Sequence, residues 1–276
     1  MTEPHPWTAP ANLHGYHWSA ASPHATLLLQ HGYAEHAGRY VAHYDRLIPH
    51  LTARGIDVHA FDLAGHGLSP GARGLTDIGA MAAAHIAARA ALAASGRPLF
   101  LLGHSLGGLV TALSVARAPD NVAGVVLSGP ALPFDTNPVL RLVARLLARV
   151  APGVGVAKLG DPVAISRLPD EVQAYRDDPL VFTRPIPALL GATAAAGADE
   201  IAAALRSWRA PTFVFHGTAD SYTSPAGSER LVAGIASSDK ELWLVEDGRH
   251  ELLNDTPRDA VLARLTAWLE ARLGPR

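Results

Sequence analysis

Short apolar runs alternate with helix-period patterns along most of the chain. Residues 25–29, Ala-Thr-Leu-Leu-Leu, read as a buried strand that runs into Gln30-His31-Gly32. Over residues 40–51, Val41, Tyr44, Leu47, Ile48 and Leu51 recur at 3.6-residue spacing, which predicts one helix closed by Gly55. Residues 56–61 form the next apolar run, and the glycine-rich stretch 62–71 is loop. An alanine-rich helix is predicted over 78–94, a strand over 99–102, and a helix from just after Gly103 to about Ala116. Further strands are predicted at 122–127, 212–215 and 242–245. A last helix has Thr256 as its N-cap, Pro257 at its first position and an end near Gly274. Residues 12–19 read as one or two extended edge strands.

Such alternation means βαβ units: an α/β fold with a mostly parallel central sheet and helices on both faces. In sheets of this kind ligands sit at the carboxyl ends of strands, so chemistry is expected just after strands. One interval breaks the alternation. Residues 131–207 show no convincing strand and are rich in proline, and they read as a helical cap inserted before the last two core strands. The core is then 1–130 and 208–276. The cap's helical piece, 139–150, carries Leu140, Val143 and Leu147 on one side and Arg141, Arg145 and Arg149 on another. It reads as a helix packed on the core with a solvated arginine face; dipping into a lipid interface is the alternative.

Composition narrows the function classes. Of 276 residues, 49% are hydrophobic and 17% charged, which is globular rather than disordered. A net charge of −2 without a long basic run leaves no nucleic-acid footprint. The chain has no cysteine, which excludes disulfides, thiol nucleophiles and cysteine-based zinc sites. The first residues lack the basic and apolar regions of a signal peptide, so the expectation is a soluble, cytoplasmic protein with peripheral membrane contact through the cap at most.

The chemistry centres on Gly103-His104-Ser105-Leu106-Gly107, directly after a strand and opening a helix. A serine on such a turn projects its hydroxyl from the top of the sheet, and the close backbones require small residues two positions away on each side. A serine hydroxyl needs a base, and the base needs an orienting acid. Asp220 follows the 212–215 strand and His250 follows the 242–245 strand, so three residue types fall at three strand ends along one edge. Asp135, after the 122–127 strand, is the rival acid. Backbone N–H groups of Leu106 and Tyr33 are the expected oxyanion donors. His31, Glu35 and His36 lack a third ligand at metal spacing, the glycines do not make a dinucleotide loop, and no metal or cofactor is expected. Asp62 and His66 read as loop architecture.

With these residues in hand, the chain resembles the α/β-hydrolase superfamily, and within it the monoacylglycerol lipase and lysophospholipase branch grouped with serine aminopeptidases. The matching stretches are His31-Gly32-Tyr33-Ala34-Glu35-His36-Ala37-Gly38-Arg39-Tyr40, the Asp62–Ser69 loop and the Gly103–Gly107 turn. His216-Gly217-Thr218-Ala219-Asp220, Gly248-Arg249-His250-Glu251 and the cap stretches 164–167 and 175–181 also match. The resemblance implies a serine ester hydrolase with Ser105, Asp220 and His250 as triad, Tyr33 and Leu106 at the oxyanion, and a cap over an acyl-chain tunnel. It makes a monoacylglycerol the expected small-molecule substrate, with Leu140, Val143 and Leu147 as cap residues that bind it. A general carboxylesterase, a lysophospholipase, an aminopeptidase and a binding protein are the alternatives. Tyr33 departs from the small residue many relatives carry there, which alters the entrance while leaving its N–H in place.

Overall fold

The computed structural model describes residues 3–134 and 137–273. Strands β1 (His5–Thr8), β2 (His14–Trp18) and β3 (Ala25–Gln30) open the chain, followed by helices α1 (Arg39–Ala42) and α2 (Leu47–Thr52). Then come β4 (Ile56–Phe61), α3 (Ile78–Ala93), β5 (Leu99–His104), α4 (Leu106–Arg117) and β6 (Gly124–Ser128). The interval before the last strands holds α5 (Pro138–Val150), β7 (Gly155–Ala157), α6 (Pro169–Asp177), β8 (Ile186–Pro187) and α7 (Ala188–Ala204). The chain closes with β9 (Thr212–Gly217), α8 (Pro225–Gly234), β10 (Lys240–Val245) and α9 (Arg258–Glu270).

Eight strands form one sheet in the order β1-β2-β4-β3-β5-β6-β9-β10. The pairs β1–β2 and β2–β4 are antiparallel and the rest are parallel. The pleat sends alternate residues to opposite faces: Leu99 and Leu101 of β5 join a core with α3, α4, α7 and α8, while Phe100 and Leu102 join a second core with α2 and α9. Central strands buried on both faces explain the continuous apolar runs of the sequence. Strand order reverses at β3, which lies between β4 and β5, so a crevice opens past the carboxyl ends of β3 and β5.

Four expectations change. The helix expected over 40–51 is broken in two, because Tyr44, Asp45 and Arg46 all take left-handed backbone conformations (φ +55°, +53° and +53°). The 131–207 interval divides: α7 packs against α3 and α4, with Leu190, Ala198 and Ile201 in the sheet's own core, and the two short strands β7 and β8 pair antiparallel within the cap. The helical run Ala188–Ser207, α7 with the turn that follows it, is long and apolar enough to cross a membrane, but alanines let α7 pack closely as a core helix here. The apolar side of α5 is not packed on the core. Leu140, Leu142, Val143 and Leu146 are exposed, and the half-buried side that includes Arg141 and Leu147 faces α7, where Arg141 meets Asp199. Finally α9 starts one residue late, with Pro257 rather than Thr256 at its N-cap. The expected stop near Gly274 and the rival acid Asp135 lie outside the described residues.

Candidate active site

Ser105 sits between the end of β5 and the start of α4 with φ +53° and ψ −118°, a conformation that side-chain-bearing residues rarely adopt. The turn is locked from both sides. The Ser105 N–H donates to Ser128 O at the end of β6, and a Cβ on Gly107 would run into the carbonyl oxygens of Gln30 and His31. Only glycine lets α4 approach β3 this closely. Because α4 begins at Leu106, the N–H of that residue belongs to the first turn and has no partner within the helix.

Past β9, Asp220 is held by a set of donors. Its Oδ1 accepts the N–H groups of Tyr222 and Thr223 at 2.8 and 3.0 Å, and its Oδ2 accepts the Thr223 hydroxyl at 2.8 Å. The same Oδ2 lies 2.8 Å from His250 Nδ1, on the loop after β10, and 3.2 Å from His216 Nε2. The Asp220 side chain is fully buried. Burial alone would raise its carboxyl, but the His250 charge and the hydrogen bonds from His216, His250 and Thr223 hold it far below the usual carboxylate range. For His250 burial lowers the imidazole's affinity for a proton, yet Asp220, with help from Glu251 and Glu35, raises it above its ordinary value. An Nδ1–H bound to a carboxylate leaves Nε2 as the basic nitrogen. Ser105 and His250 line one cavity, with Tyr222 stacked on the imidazole at 4.9 Å between ring centres.

The loop after β3 completes this edge. A Cβ on Gly32 would lie 3.1 Å from Ser105 Cβ, so the Gly32–Tyr33 backbone runs directly against the serine. The Gly32 N–H is turned away, into Glu35 Oε1 at 2.6 Å. His31 braces the loop from below: Nδ1 donates to Gly32 O at 2.8 Å and Nε2 accepts the Leu63 N–H at 2.9 Å. Asp62 accepts Tyr16 OH and the N–H groups of Ala37 and Leu68, the work of a residue that holds loops together. The side chain of Tyr33 reaches into the cap, where its hydroxyl donates to Pro185 O at 3.2 Å and its ring meets Phe182 edge-on at 5.4 Å.

The structure thus brings Ser105, Asp220, His250, Tyr33 and Leu106 to one sheet edge. It does not bring Leu140, Val143 or Leu147 to the cavity. The cap contributes Leu159, Ile165 and Tyr175 instead; Ile165 and Tyr175 lie inside the matched stretches 164–167 and 175–181, whereas nothing in the sequence singled out Leu159. His216, Arg39 and Glu251 also went unseen, their place inside the quoted stretches the only signal, and Thr223 beside Asp220 lies outside those stretches. Elsewhere His17, Asp57 and His59 cluster on β2 and β4. The two imidazoles stack in parallel at 4.0 Å and Asp57 is bound by Arg97, so the ring lone pairs run side by side and do not converge as metal ligands must.

A family model described as serine aminopeptidase, S33 matches residues 21–257. The chain belongs to that family of α/β-hydrolases. A monoacylglycerol lipase of Mycolicibacterium smegmatis is 35% identical over 257 residues, which cover 91% of this chain and 90% of the relative. Human monoglyceride lipase is 29% identical, over 91% of this chain and 84% of its own. Among solved structures, Paleococcus ferrophilus monoacylglycerol lipase superposes with a TM-score of 0.84 at 33% identity, covering 94% of this chain and 99% of that one. The protein is a serine hydrolase of the lipase and esterase class.

Proposed function

We propose that this hydrolase is a cytoplasmic monoacylglycerol lipase with Ser105 as nucleophile, His250 as general base and Asp220 as its orienting acid. Ser105 Oγ attacks the ester carbonyl carbon while its proton passes to His250 Nε2. Charge on the former carbonyl oxygen is taken up by the N–H groups of Tyr33 and Leu106, at the positive end of α4. Collapse breaks the ester bond, and the imidazolium gives its proton to the departing glycerol oxygen. Water then attacks the acyl-enzyme, its proton goes to His250, and the fatty acid leaves as Ser105 Oγ recovers the proton.

The observation that carries the lipid side of this reading is the outer face of α5. Val139, Leu140, Leu142, Val143, Leu146 and Val150 are all exposed there, flanked by Arg145 and Arg149. An apolar stripe with arginines at its border suits a helix lying in a lipid interface. We therefore assign Leu140 and Val143 to membrane contact, and Leu159, Ile165, Tyr175 and Tyr222 to the acyl group. The cavity at Ser105 measures only about 30 Å³, room for about one water, so an acyl chain enters when the cap shifts. An aminopeptidase would need a free carboxylate for the substrate amine, whereas the two that border the cavity, Glu35 and Glu251, are bound to Arg39.

The test is hydrolysis of a chain-length series of p-nitrophenyl esters and of monoacylglycerols by wild type and Ser105→Ala. The proposal expects turnover to rise toward medium or long chains, to extend to monoacylglycerol, and to fall by several orders of magnitude in the variant. Activity on short esters alone would make this a general carboxylesterase. Preference for lysophospholipids or aminoacyl anilides would move the substrate class accordingly.

A further inference from the structure

Beneath the site lies a buried cluster that the hydrolytic mechanism does not use. Glu35, Arg39 and Glu251 are each at most 3% exposed. Arg39 Nη1 donates to Glu35 Oε2 at 2.8 Å and to Glu251 Oε1 at 3.0 Å, and its Nη2 donates to Glu251 Oε2 at 3.1 Å. The remaining acceptor positions of Glu35 are filled as well: Oε1 takes the Gly32 N–H and the Tyr40 hydroxyl, and Oε2 takes the Tyr44 hydroxyl. Every acceptor position of Glu35 thus meets a donor, the surroundings a carboxylate requires. Burial would raise the Glu251 carboxyl, but Arg39 holds it down at about 2. Two carboxylates and one guanidinium leave the cluster with a surplus of one negative charge.

The placement of this charge has a consequence. Glu35 grips the loop that runs against Ser105, and Glu251 is the chain neighbour of His250, so Arg39 ties both sides of the reaction centre to one point. We infer that Glu35, Arg39 and Glu251 are a positioning unit that fixes the oxyanion loop against the His250 loop and, through its surplus negative charge, supports the imidazolium formed during turnover. The inference rests on the roles of Ser105 and His250 proposed above.

Other groups facing His250 leave this charge uncompensated. His104, whose ring centre is 4.8 Å from that of His250, is pushed down to about 4 by burial and by His250 itself, so it is neutral. Burial keeps the phenols of Tyr222, Tyr175 and Tyr44 protonated. His216 hydrogen-bonds Ser228 Oγ through Nδ1 and sits on the far side of Asp220. The charges that raise the His250 imidazole are those of Asp220, Glu251 and Glu35, the last two bound to Arg39. The fold maintains the cluster at a cost, since the left-handed turn Tyr44-Asp45-Arg46 carries the Tyr44 hydroxyl to Glu35 and its N–H to Asn254 Oδ1, while Asn254 Nδ2 donates to Glu251. The cap closes the assembly with Tyr175, whose ring lies 4.8 Å from the Arg39 guanidinium carbon.

The experiment compares wild type with E35Q, E251Q and R39K by NMR titration of the His250 imidazole and by pH profiles of kcat/KM on a neutral ester. E35Q and E251Q keep shape and one acceptor oxygen while removing the surplus charge, each turning its new NH₂ toward a former donor. In both, the His250 titration and the acid limb of the profile should move down by about 0.5–1 pH unit. Their kcat should fall about tenfold with KM within about twofold. R39K keeps the charge but cannot bridge two carboxylates, so it should lose kcat with its acid limb in place. Either glutamine variant suffices if the other fails to fold. A His250 titration that stays at the wild-type value in a folded glutamine variant overturns the inference. The NMR reading needs no substrate, so an ester that is not turned over tests the proposed function alone.

Discussion

Replacing Asp220 by Asn tests the site where its geometry is most constrained. Oδ1 of Asp220 faces two backbone N–H donors, those of Tyr222 and Thr223. An asparagine must therefore put its carbonyl oxygen in that position, because an amide nitrogen there would face two donors. Its NH₂ group then occupies the Oδ2 position, 2.8 Å from His250 Nδ1. Nδ1 is forced to accept, the proton moves to Nε2, and the nitrogen that should take the Ser105 proton already carries one. The imidazole also loses the carboxylate that raises its proton affinity. Loss of the correct tautomer costs about 10³–10⁴-fold in kcat, or about 4–5 kcal/mol of transition-state stabilisation. The substrate does not touch Asp220, so KM should change by less than about threefold. Steady-state hydrolysis of a soluble p-nitrophenyl ester at pH 8, with thermal melts to confirm folding, measures this. A kcat for Asp220→Asn within tenfold of wild type would refute the tautomer argument.

Other expectations follow from the same geometry. The raised His250 means that the base is protonated, and so inactive, below an acid-limb midpoint above 6.5; a pH profile of kcat/KM with a midpoint below 6 contradicts this. By linkage, the raised pKa contributes stability that is fully present below about 6.5 and is lost as pH rises through the folded value, which melts of wild type and His250→Gln across pH 5–9 would register. Ser105→Gly should remove activity yet unfold at higher denaturant than Ser105→Ala, by about 1 kcal/mol, because glycine relieves the φ of +53°. A methyl at position 32 would meet Glu35 Oε1 at 3.0 Å and His104 Cδ2 at 3.3 Å, so Gly32→Ala should lower kcat by about 10–100-fold through a displaced oxyanion loop, with equal kcat counting against that loop's role.

What could be read in advance followed from how local each signal was. The strand-to-helix turn at Ser105 announces itself because strand, serine and small neighbours are adjacent in sequence, and the placement of Asp220 and His250 beside it becomes visible once strand ends are known to share an edge. The break in the 40–51 helix was hidden, since the apolar spacing of Tyr44, Leu47 and Ile48 is the same whether the turn is continuous or interrupted. What interrupts it is a contact across the fold, from Tyr44 to Glu35 and Asn254, which no window of sequence contains. The side of α5 was misassigned for a related reason: periodicity identifies an apolar stripe but not what lies opposite it. In the cap, Leu159 was illegible because it sits in irregular backbone outside every matched stretch, while Ile165 and Tyr175 lay within matched stretches that carried no sign of their facing the cavity.

The two ends of the sheet bear on how this protein behaves in bulk. Eight strands, most of them wholly buried, leave two open rims, and an open rim is a template on which another molecule's backbone can add. At one rim β1 places Pro6, which has no N–H to offer. At the other, β10 begins with Lys240 and Glu241, and Arg264 of α9 lies over Trp243 and pairs with Glu241, so a joining strand would have to strip a fixed charge from its partner. Rims closed in these two ways discourage fibre-like stacking and keep the sheet from adding a strand of another copy at either end.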